Sequence, residues 1–232
     1  MEFTVTKPVA ELGVKVVCCV IRGVDNTHVL PEQKAAWEAR LQELAQQYAD
    51  LDYHSDERLE GYHILHDRAG VKRRKNIPSA ENLIRMLRKH GTLPDISPIV
   101  NLYNLISVES RLCIAAHDLD RVEGDLLVKY PEGTERYIPM GQSEPVPLDE
   151  HEYYYCDGAD DVLCRLELHQ CSKTIVTSET ENLLLIIEGN DKTPEELLDE
   201  TARDLVNQIV RYHGGTGMVR EWYIRRQFEK SK

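Results

Sequence analysis

Apolar residues follow two different spacings along this chain, and the spacings predict strands as well as helices. Val14–Ile21 is an apolar run interrupted only by Lys15, rich in β-branched residues and followed by Gly23, which predicts a buried strand. Residues 31–51 instead space their apolar side chains three and four positions apart, so they predict an amphipathic helix. The inward face of that helix is predicted to hold Trp37, Leu41, Leu44, Ala45 and Tyr48.

Three more helices are predicted before the middle of the chain. Glu60–Ala69 has helical spacing, and a second helix is expected to start near Ser79 and to end at Gly91. Pro98 suits the first turn of a third helix, which is predicted to reach Ile106.

The second half of the chain alternates short apolar runs with turn residues, which is typical of β-structure. The predicted strands are Asp125–Tyr130, Glu135–Pro139, Glu152–Tyr155, Val162–Leu168, Thr174–Val176 and Leu183–Ile187. Pro194–Tyr212 then predicts a last amphipathic helix. We therefore expect an α+β fold and a single compact domain over residues 1–216. Residues 217–232 are a basic, aromatic tail, interpreted as a helix docked on the body or on a partner.

Acidic residues outnumber basic ones, 40 to 28, which gives the 232-residue chain a net charge of −12. This balance disfavours binding of nucleic acid by bulk electrostatics, because such binding depends on lysine and arginine neutralising phosphates. We expect no DNA partner, and any RNA contact must be local. No apolar run reaches the roughly 20 residues of a membrane span, and Met1–Pro8 lacks a signal-peptide pattern. These features predict a cytoplasmic protein without a membrane partner, and they do not specify an oligomeric state.

The six cysteines form no CxxC pair, which favours a reducing compartment. Cys164, His169 and Cys171 are zinc-type ligands, but no second pair with zinc spacing accompanies them. His63 and His66 similarly lack a third ligand, and packing against the core is the alternative for both. We therefore expect neither a metal site nor a cofactor.

Positive charge is concentrated in one segment of this acidic chain. Its members are Lys72, Arg73, Arg74, Lys75, Arg85, Arg88 and Lys89. Cations near the end of a helix also offset the helix dipole, and a basic run is usually a solvated face. The alternative is a local contact with RNA, which is favoured by the position of the segment directly before a run of polar residues.

Polar residues interrupt an otherwise apolar stretch in the middle of the chain. They are Asn101, Asn104, Ser107, Ser110, His117 and Asp118. Burying an amide or an imidazole is costly unless its polar atoms find partners. The run therefore predicts either a closed hydrogen-bond network or the wall of a ligand pocket. Its last two members are expected in a turn before Gly124.

Several segments occur in an order that resembles one known domain: SAENL, PIVNLYNLIS, IAAHDLDRVEGDLLVKYP and CRLELHQCSKTIVTSETENLLLIIEG. Together they are similar to the B3/B4 domain of the bacterial phenylalanyl-tRNA synthetase β subunit, and more so to free-standing B3/B4-domain proteins. The likeness spans Val14 to Tyr212. It implies layered β-sheets packed with helices around a pocket, and a relation to tRNA or aminoacyl-tRNA. In the synthetase this domain is an editing module, which hydrolyses the ester joining a wrong amino acid, tyrosine, to tRNA.

The resemblance carries some pocket residues of the synthetase onto this chain and not others. Asn104 falls on the asparagine that lines the synthetase pocket. The synthetase histidine falls on Ala115, and His117 comes two residues later. The pocket glutamate falls on Ile186, and Glu188 comes two residues later, so it is expected on the same strand face. These departures argue against editing of tyrosine.

The predicted site has three catalytic candidates, His117, Asn104 and Glu188, placed around the scissile ester. A histidine has the right ordinary pKa for a proton acceptor near neutral pH. The substrate-binding candidates are uncharged hydrogen-bonding residues: Asn101, Gln170, Ser172 and Thr180. Because no nucleophile elbow is present, attack by water is expected rather than a covalent route. The predicted function is hydrolysis of mischarged aminoacyl-tRNA in trans, and the alternative is a non-catalytic module that binds tRNA or an amino acid.

Overall fold

Two β-sheets form the framework of the protein, which is described from a computed structural model over residues 1–220. In chain order the strands are β1 (Phe3–Val5), β2 (Lys15–Arg22), β3 (Cys113–Asp118), β4 (Leu126–Lys129), β5 (Tyr154–Cys156), β6 (Val162–Arg165), β7 (His169–Gln170), β8 (Asn182–Gly189) and β9 (Thr216–Arg220). The larger sheet, which has fewer but longer strands, is antiparallel, in the order β3-β8-β2-β9. The smaller sheet has the order β1-β4-β5-β6-β7.

Helices account for most of the remaining regular structure in residues 1–220. They are α1 (Lys7–Ala10), α2 (Pro31–Gln47), α3 (Glu57–Ala69), α4 (Ser79–His90), α5 (Pro98–Ser110), a 3₁₀ turn (Leu119–Arg121) and α6 (Glu195–His213). Gly91 ends α4 in the left-handed conformation, as its position predicts, because a residue without a Cβ atom adopts that conformation without strain. Within the described part of the chain, no helix has the length and apolarity needed to cross a bilayer.

The larger sheet lies in the middle of the molecule and has two apolar faces. One face, with Leu185 and Ile187 of β8, packs against α5 and α6. The other face, with Leu184 and Ile186, packs against the smaller sheet. Because successive strand residues point to opposite faces, the apolar run of β2 from Val16 to Ile21 supplies both cores at once. A third core lies among α2, α3, α4 and one side of α5.

The chain folds as one compact α+β unit, and most of the predicted elements are confirmed. Helices α2 to α6 and strands β2, β4, β5, β6 and β8 lie where the apolar spacing places them. Two predicted strands are wrong. Glu135–Pro139 makes only isolated bridges, through Arg136 and Pro139, and Thr174–Val176 is a loop. Proline has no N–H to continue a ladder, and short apolar runs carry little periodic signal.

The predicted turn at His117 and Asp118 is also wrong, because both residues belong to β3 and the turn follows as the 3₁₀ segment Leu119–Arg121. Asp118 caps that segment by accepting from the Asp120 amide at 3.1 Å, and it accepts from the Thr180 hydroxyl at 3.0 Å. Neighbouring strand residues point to opposite faces. The Asp118 carboxylate therefore does not orient the His117 ring.

The predicted boundary between domain and tail, at residues 216 and 217, falls inside β9. This strand pairs antiparallel with β2, so the start of the predicted tail is a strand and not a helix. The rest of the predicted tail, residues 221–232, lies outside the described residues.

Replacing Gly61 by alanine tests the packing between α3 and the end of β8. Alanine normally favours a helix over glycine by about 1 kcal/mol. Here a methyl group would overlap the side-chain amide of buried Asn190, which donates to the Arg58 carbonyl at 2.9 Å. We therefore expect Gly61→Ala to lower the free energy of unfolding by roughly 1–3 kcal/mol, as measured by urea denaturation.

The matched control for this prediction is the double variant Gly61→Ala with Asn190→Ala. It should lose less stability than the two single variants added together, because the second change removes the overlapping group. A single variant as stable as the wild type would contradict the packing.

Candidate functional site

A buried network of acids, tyrosines and a histidine joins the two sheets. Glu188 of β8 is 2 % exposed, with one carboxyl oxygen 2.6 Å from the Tyr153 hydroxyl and the other in contact with the Tyr155 hydroxyl. Tyr153 also lies 3.1 Å from Glu167, whose carboxylate is 2.9 Å from Nε2 of His66 in α3. These five side chains form one continuous polar group between the larger sheet, the smaller sheet and α3.

The pKa values of the two carboxyl groups in this network are shifted in opposite directions. Burial, together with the charge of Glu167, raises the pKa of Glu188 to about 8, so this acid is mostly neutral at pH 7. Burial also favours a neutral Glu167, but the charge and hydrogen bond of His66 hold the pKa of Glu167 below its ordinary value. Burial disfavours a charged His66, whereas Glu167 raises the pKa of that imidazole, with a net increase. The network therefore holds one ion pair and one neutral acid.

One arrangement of protons satisfies the contacts among Glu188, Tyr153, Tyr155 and Glu167. A tyrosine hydroxyl has a single proton, so Tyr153 cannot donate to both acids. With Glu188 neutral, Glu188 donates to Tyr153, Tyr153 donates to ionised Glu167, and Tyr155 donates to the second oxygen of Glu188. Both oxygens of Glu188 are thus engaged within the protein.

His117 forms a second, smaller polar group on the same face of the larger sheet. Its ring is fully buried, with Nδ1 2.8 Å from the Thr174 hydroxyl. The side-chain amide nitrogen of Gln170 lies 3.4 Å from Nδ1 and donates to the Ala116 carbonyl at 2.6 Å. Burial lowers the pKa of His117 to about 4, so the ring is neutral at pH 7. Nε2 has no hydrogen-bond partner among residues 1–220.

The contacts of Nδ1 favour one tautomer of His117. The amide nitrogen of Gln170 only donates, so its 3.4 Å contact with Nδ1 favours the tautomer that has the ring proton on Nε2, and the Thr174 hydroxyl can donate to Nδ1 in that tautomer. Nε2–H is therefore a buried donor without an acceptor in the described residues. Leaving such a donor unpaired costs on the order of 1–3 kcal/mol, which an incoming acceptor would recover.

The three catalytic candidates do not share one hydrogen-bonded group. His117 pairs across the strands with Leu184, and Glu188 pairs with Cys113, so the two lie four residues apart along the sheet. Four residues of strand span about 13 Å. Asn104 lies in α5, is 8 % exposed, and makes no side-chain hydrogen bond within residues 1–220. The catalytic role of each of the three stays a prediction.

The four substrate-binding candidates are engaged within the protein. Asn101 bonds to the loop before α5 at 2.9 and 2.6 Å, and Ser172 donates to the Pro139 carbonyl at 2.6 Å. Gln170 and Thr180 both donate to residues of β3. Each of these bonds holds a loop or a strand end in place, so a role in binding substrate stays a prediction as well.

Three of the seven basic residues between α3 and the end of α4 are bound internally. Arg73 bridges Glu60 and Asp67, Arg85 pairs with a buried acid of its own helix, and Arg88 donates to backbone carbonyls after α2. The other four are exposed and have no partner within residues 1–220: Lys72, Arg74, Lys75 and Lys89. Free positive charge is therefore concentrated in the loop between α3 and α4.

One cluster of carboxylates in residues 1–220 lies close enough to hold a metal ion: Glu123, Asp157 and Asp161. The Lys173 ammonium already lies among them, 3.1, 3.1 and 2.6 Å from their oxygens. This cluster is therefore neutralised by the protein itself.

The residues considered above as alternative metal ligands have other surroundings. His63 lies against the core, with Nε2 2.6 Å from the buried Glu81, and His66 has the Glu167 partner described above. Within the described residues, no cluster of metal-ligand atoms includes Cys164, His169 and Cys171.

The sequence analysis did not identify the hydrogen-bond partners of Glu188. The run Tyr153-Tyr154-Tyr155 contains one signal, because residues two apart on an extended segment share a face. The pairing of His66 with Glu167 joins positions 101 residues apart, and no local pattern indicates it.

Comparison with known proteins gives a family and a fold. The model of the B3/4 domain matches residues 67–204, which is more than half of the chain. An N-terminal fragment of the phenylalanyl-tRNA synthetase β-subunit from Pyrococcus horikoshii has a similar fold, with a TM-score of 0.51 and 13% identity. The match covers 94% of this chain and 51% of that one, so the chain spans about half the length of the fragment. A search of the curated proteins finds no match.

Replacing Glu188 by glutamine should make stability depend less on pH. Because the folded-state pKa of Glu188 is raised above the roughly 4.3 of an unfolded glutamic acid, the folded state binds the extra proton. Stability therefore falls as the pH rises from the unfolded-state pKa, roughly 4.3, to the folded-state pKa of about 8. Glutamine mimics the neutral acid and keeps both hydrogen bonds. We expect the Tm of the wild type to fall more steeply between about pH 6 and 9 than that of Glu188→Gln.

The raised pKa of His66 acts in the same direction, since its stabilising charge is lost as the pH rises. Because the charge of Glu188 also raises the pKa of His66, the difference between the two curves reports Glu188 together with its effect on that histidine. Parallel curves would show that Glu188 is not neutral in the folded state.

Proposed function

Because the chain belongs to the B3/4 domain family, we propose that it binds aminoacyl-tRNA and hydrolyses the ester of mischarged molecules in trans. Two findings support this function: the family match, and the likeness of the fold to a fragment of the phenylalanyl-tRNA synthetase β-subunit. The observation on the site itself is the buried, unpaired Nε2–H of His117.

In this proposal His117 is a hydrogen-bond donor and not a base. Ester hydrolysis needs a positioned water and a donor for the oxygen on which negative charge develops. A pKa of about 4 makes His117 a weak base at pH 7, whereas Nε2–H is ready to donate to the ester carbonyl oxygen. An aminoacyl ester is already activated, and the tRNA hydroxyls held beside it can share the proton of the attacking water.

Access to the His117 ring requires a movement of the segment that covers the edge of β3. Residues 170–174 bond to that edge twice, through the Gln170 amide at 2.6 Å and through the Thr174 carbonyl, which accepts from the Asp118 amide at 2.9 Å. Both bonds lie next to His117. The proposal therefore places the opening between this segment and β3.

The unpaired cations Lys72, Arg74 and Lys75 are the proposed contacts to the tRNA backbone. Three cations supply too little charge for tight binding on a chain of net charge −12. The interaction is accordingly expected to be modest in affinity and to weaken with salt.

The second candidate function is binding of tRNA without hydrolysis. One observation favours it: Glu188 and the four substrate-binding candidates are already engaged by the protein. The two functions make different predictions for His117, because only hydrolysis needs its free donor.

Release of labelled amino acid from a panel of correctly and incorrectly charged tRNAs tests the hydrolysis. We expect the wild type to release at least one mischarged amino acid faster than the spontaneous rate. His117→Asn keeps an amide near the position of Nδ1, which faces Thr174, and removes the Nε2 donor. It should lower this rate by about 100-fold, the usual effect of one oxyanion donor.

The matched variant His117→Gln places an amide near the position of Nε2 and should retain more activity than His117→Asn. Equal rates for the wild type and His117→Asn would remove His117 from the site. A panel without turnover, in which tRNA still binds, would assign the protein to the second function.

Neutralising the free cations tests the tRNA surface. Replacing Lys72, Arg74 and Lys75 together by glutamine should weaken tRNA binding. It should also reduce the slope of log K against log salt by about one for each of these cations that neutralises a phosphate. The control replaces Lys7, Lys192 and Arg211, which are exposed on other elements, by glutamine. If both triple variants changed the slope equally, the effect would be one of net charge and not of this surface.

A further inference from the structure

A cleft between α2 and α5 lies outside the site proposed for tRNA. It encloses about 270 Å³. Residues of α2 one helical turn apart line one wall, and residues of α5 with the same spacing line the other. The walls consist of Lys34, Trp37, Glu38 and Leu41 on α2, and of Pro98, Asn101 and Leu105 on α5. The loop from Thr92 to Asp95 also lines the cleft, as do Thr27 and Val29.

The lining of the cleft includes an apolar patch with an aromatic ring, which is called its floor here. Trp37, Leu41, Leu93, Pro98 and Leu105 contribute it, and of these Leu105 is fully buried in the third core. The Trp37 ring is half-buried, so one part packs against the protein and another part faces the cleft. A concave apolar floor with a few polar groups is the usual composition of a small-molecule site.

Charged groups without partners surround this floor. Lys34 and Glu38 are one turn apart on α2, both exposed, and neither forms an ion pair within residues 1–220. Asp95 accepts from Asn101 at 2.6 Å through one oxygen, and its other oxygen is unpaired in the same range. The Asn101 carbonyl is itself engaged by the Ile96 amide at 2.9 Å. Two carboxylates and one ammonium therefore face the cleft.

We propose that this cleft binds a small organic ammonium ion with an apolar body. The ammonium group of the ligand lies between Glu38 and Asp95, within reach of the Trp37 ring, since carboxylates and aromatic faces both attract cations. Its apolar part rests on Leu41, Leu93 and Leu105. A simple amine and an amino acid share this chemistry, and Lys34 distinguishes them because only the amino acid offers it a carboxylate.

This proposal is independent of the function proposed for tRNA. None of the catalytic candidates lines the cleft, and of the substrate-binding candidates only Asn101 does, with its side chain already engaged by Asp95 and the Ile96 amide. Exposed apolar side chains, Leu30 and Ile96, follow lining residues in sequence, so a protein surface is the competing occupant. The charge pattern favours the ammonium ligand, because an apolar protein segment would leave Glu38 and Asp95 unpaired.

Calorimetric titration of the full chain with phenethylamine tests the proposal. We expect saturable binding with a dissociation constant on the order of 1 mM for a ligand of this size. The neutral analogue 2-phenylethanol should bind at least about tenfold more weakly. Fluorescence of Trp37, in a Trp222→Phe background, should respond to phenethylamine over the same concentrations.

The variant Glu38→Gln with Asp95→Asn should weaken phenethylamine binding by about tenfold. Asparagine at position 95 keeps the oxygen that accepts from Asn101. Glu43→Gln removes one negative charge from α2 outside the cleft and should leave the affinity unchanged. Circular dichroism of each variant verifies that it is folded.

Phenylalanine identifies the source of the ammonium group. If phenylalanine binds more tightly than phenethylamine, and Lys34→Ala removes this difference, the ligand is an amino acid. If phenylalanine binds more weakly, the ligand is a simple amine. Both results support the proposal. Equal affinity for phenethylamine and 2-phenylethanol, or no effect of the double variant, would overturn it. Dimerisation of the chain through this cleft, detected by sedimentation equilibrium and abolished by Ile96→Glu, would overturn it in favour of a second copy.

Discussion

The contact between the two sheets depends on a carboxyl group that carries a proton. Glu188 lies on a mostly apolar face of the larger sheet, near the ionised Glu167 between the sheets. If Glu188 ionised, two buried negative charges would share Tyr153, which has only one proton for both. The neutral form removes this conflict. The remaining charge is balanced by His66, and this ion pair attaches α3 to the sheets.

Glu188 and His117 lie on the same face of the larger sheet and differ in how well the protein satisfies them. Both oxygens of Glu188 have hydrogen-bond partners, whereas Nε2 of His117 has none within residues 1–220, and the neighbours of His117 bond to the outer edge of β3. The opening that the proposed hydrolysis requires would therefore lie at the end of the sheet pair that holds His117, while the network around Glu188 joins the two sheets at the other end.

The sequence predicted those features that depend on local spacing. Helices α2 to α6 and the run of β2 follow from periodicity, and the spacing of Ile186 and Glu188 correctly placed both residues on one strand face. It did not predict the network, because His66 and Glu167 meet only after α3 packs on the sheets. The tautomer of His117 similarly depends on Gln170, which reaches β3 from another strand.

Counting charges along the chain overstates the positive surface between α3 and the end of α4. Three of its seven basic residues offset acids or carbonyls of the protein, because an acidic chain that packs its helices closely must neutralise carboxylates such as buried Glu81. Lys72, Arg74 and Lys75, in the loop after α3, are exposed cations that form no ion pair within residues 1–220. Any phosphate bound there meets charge that is already free, so binding breaks no internal ion pair. A phosphate at Arg73 or Arg85 would instead have to displace a carboxylate at 2.5–2.7 Å, and the gain in Coulomb energy would be offset by that loss.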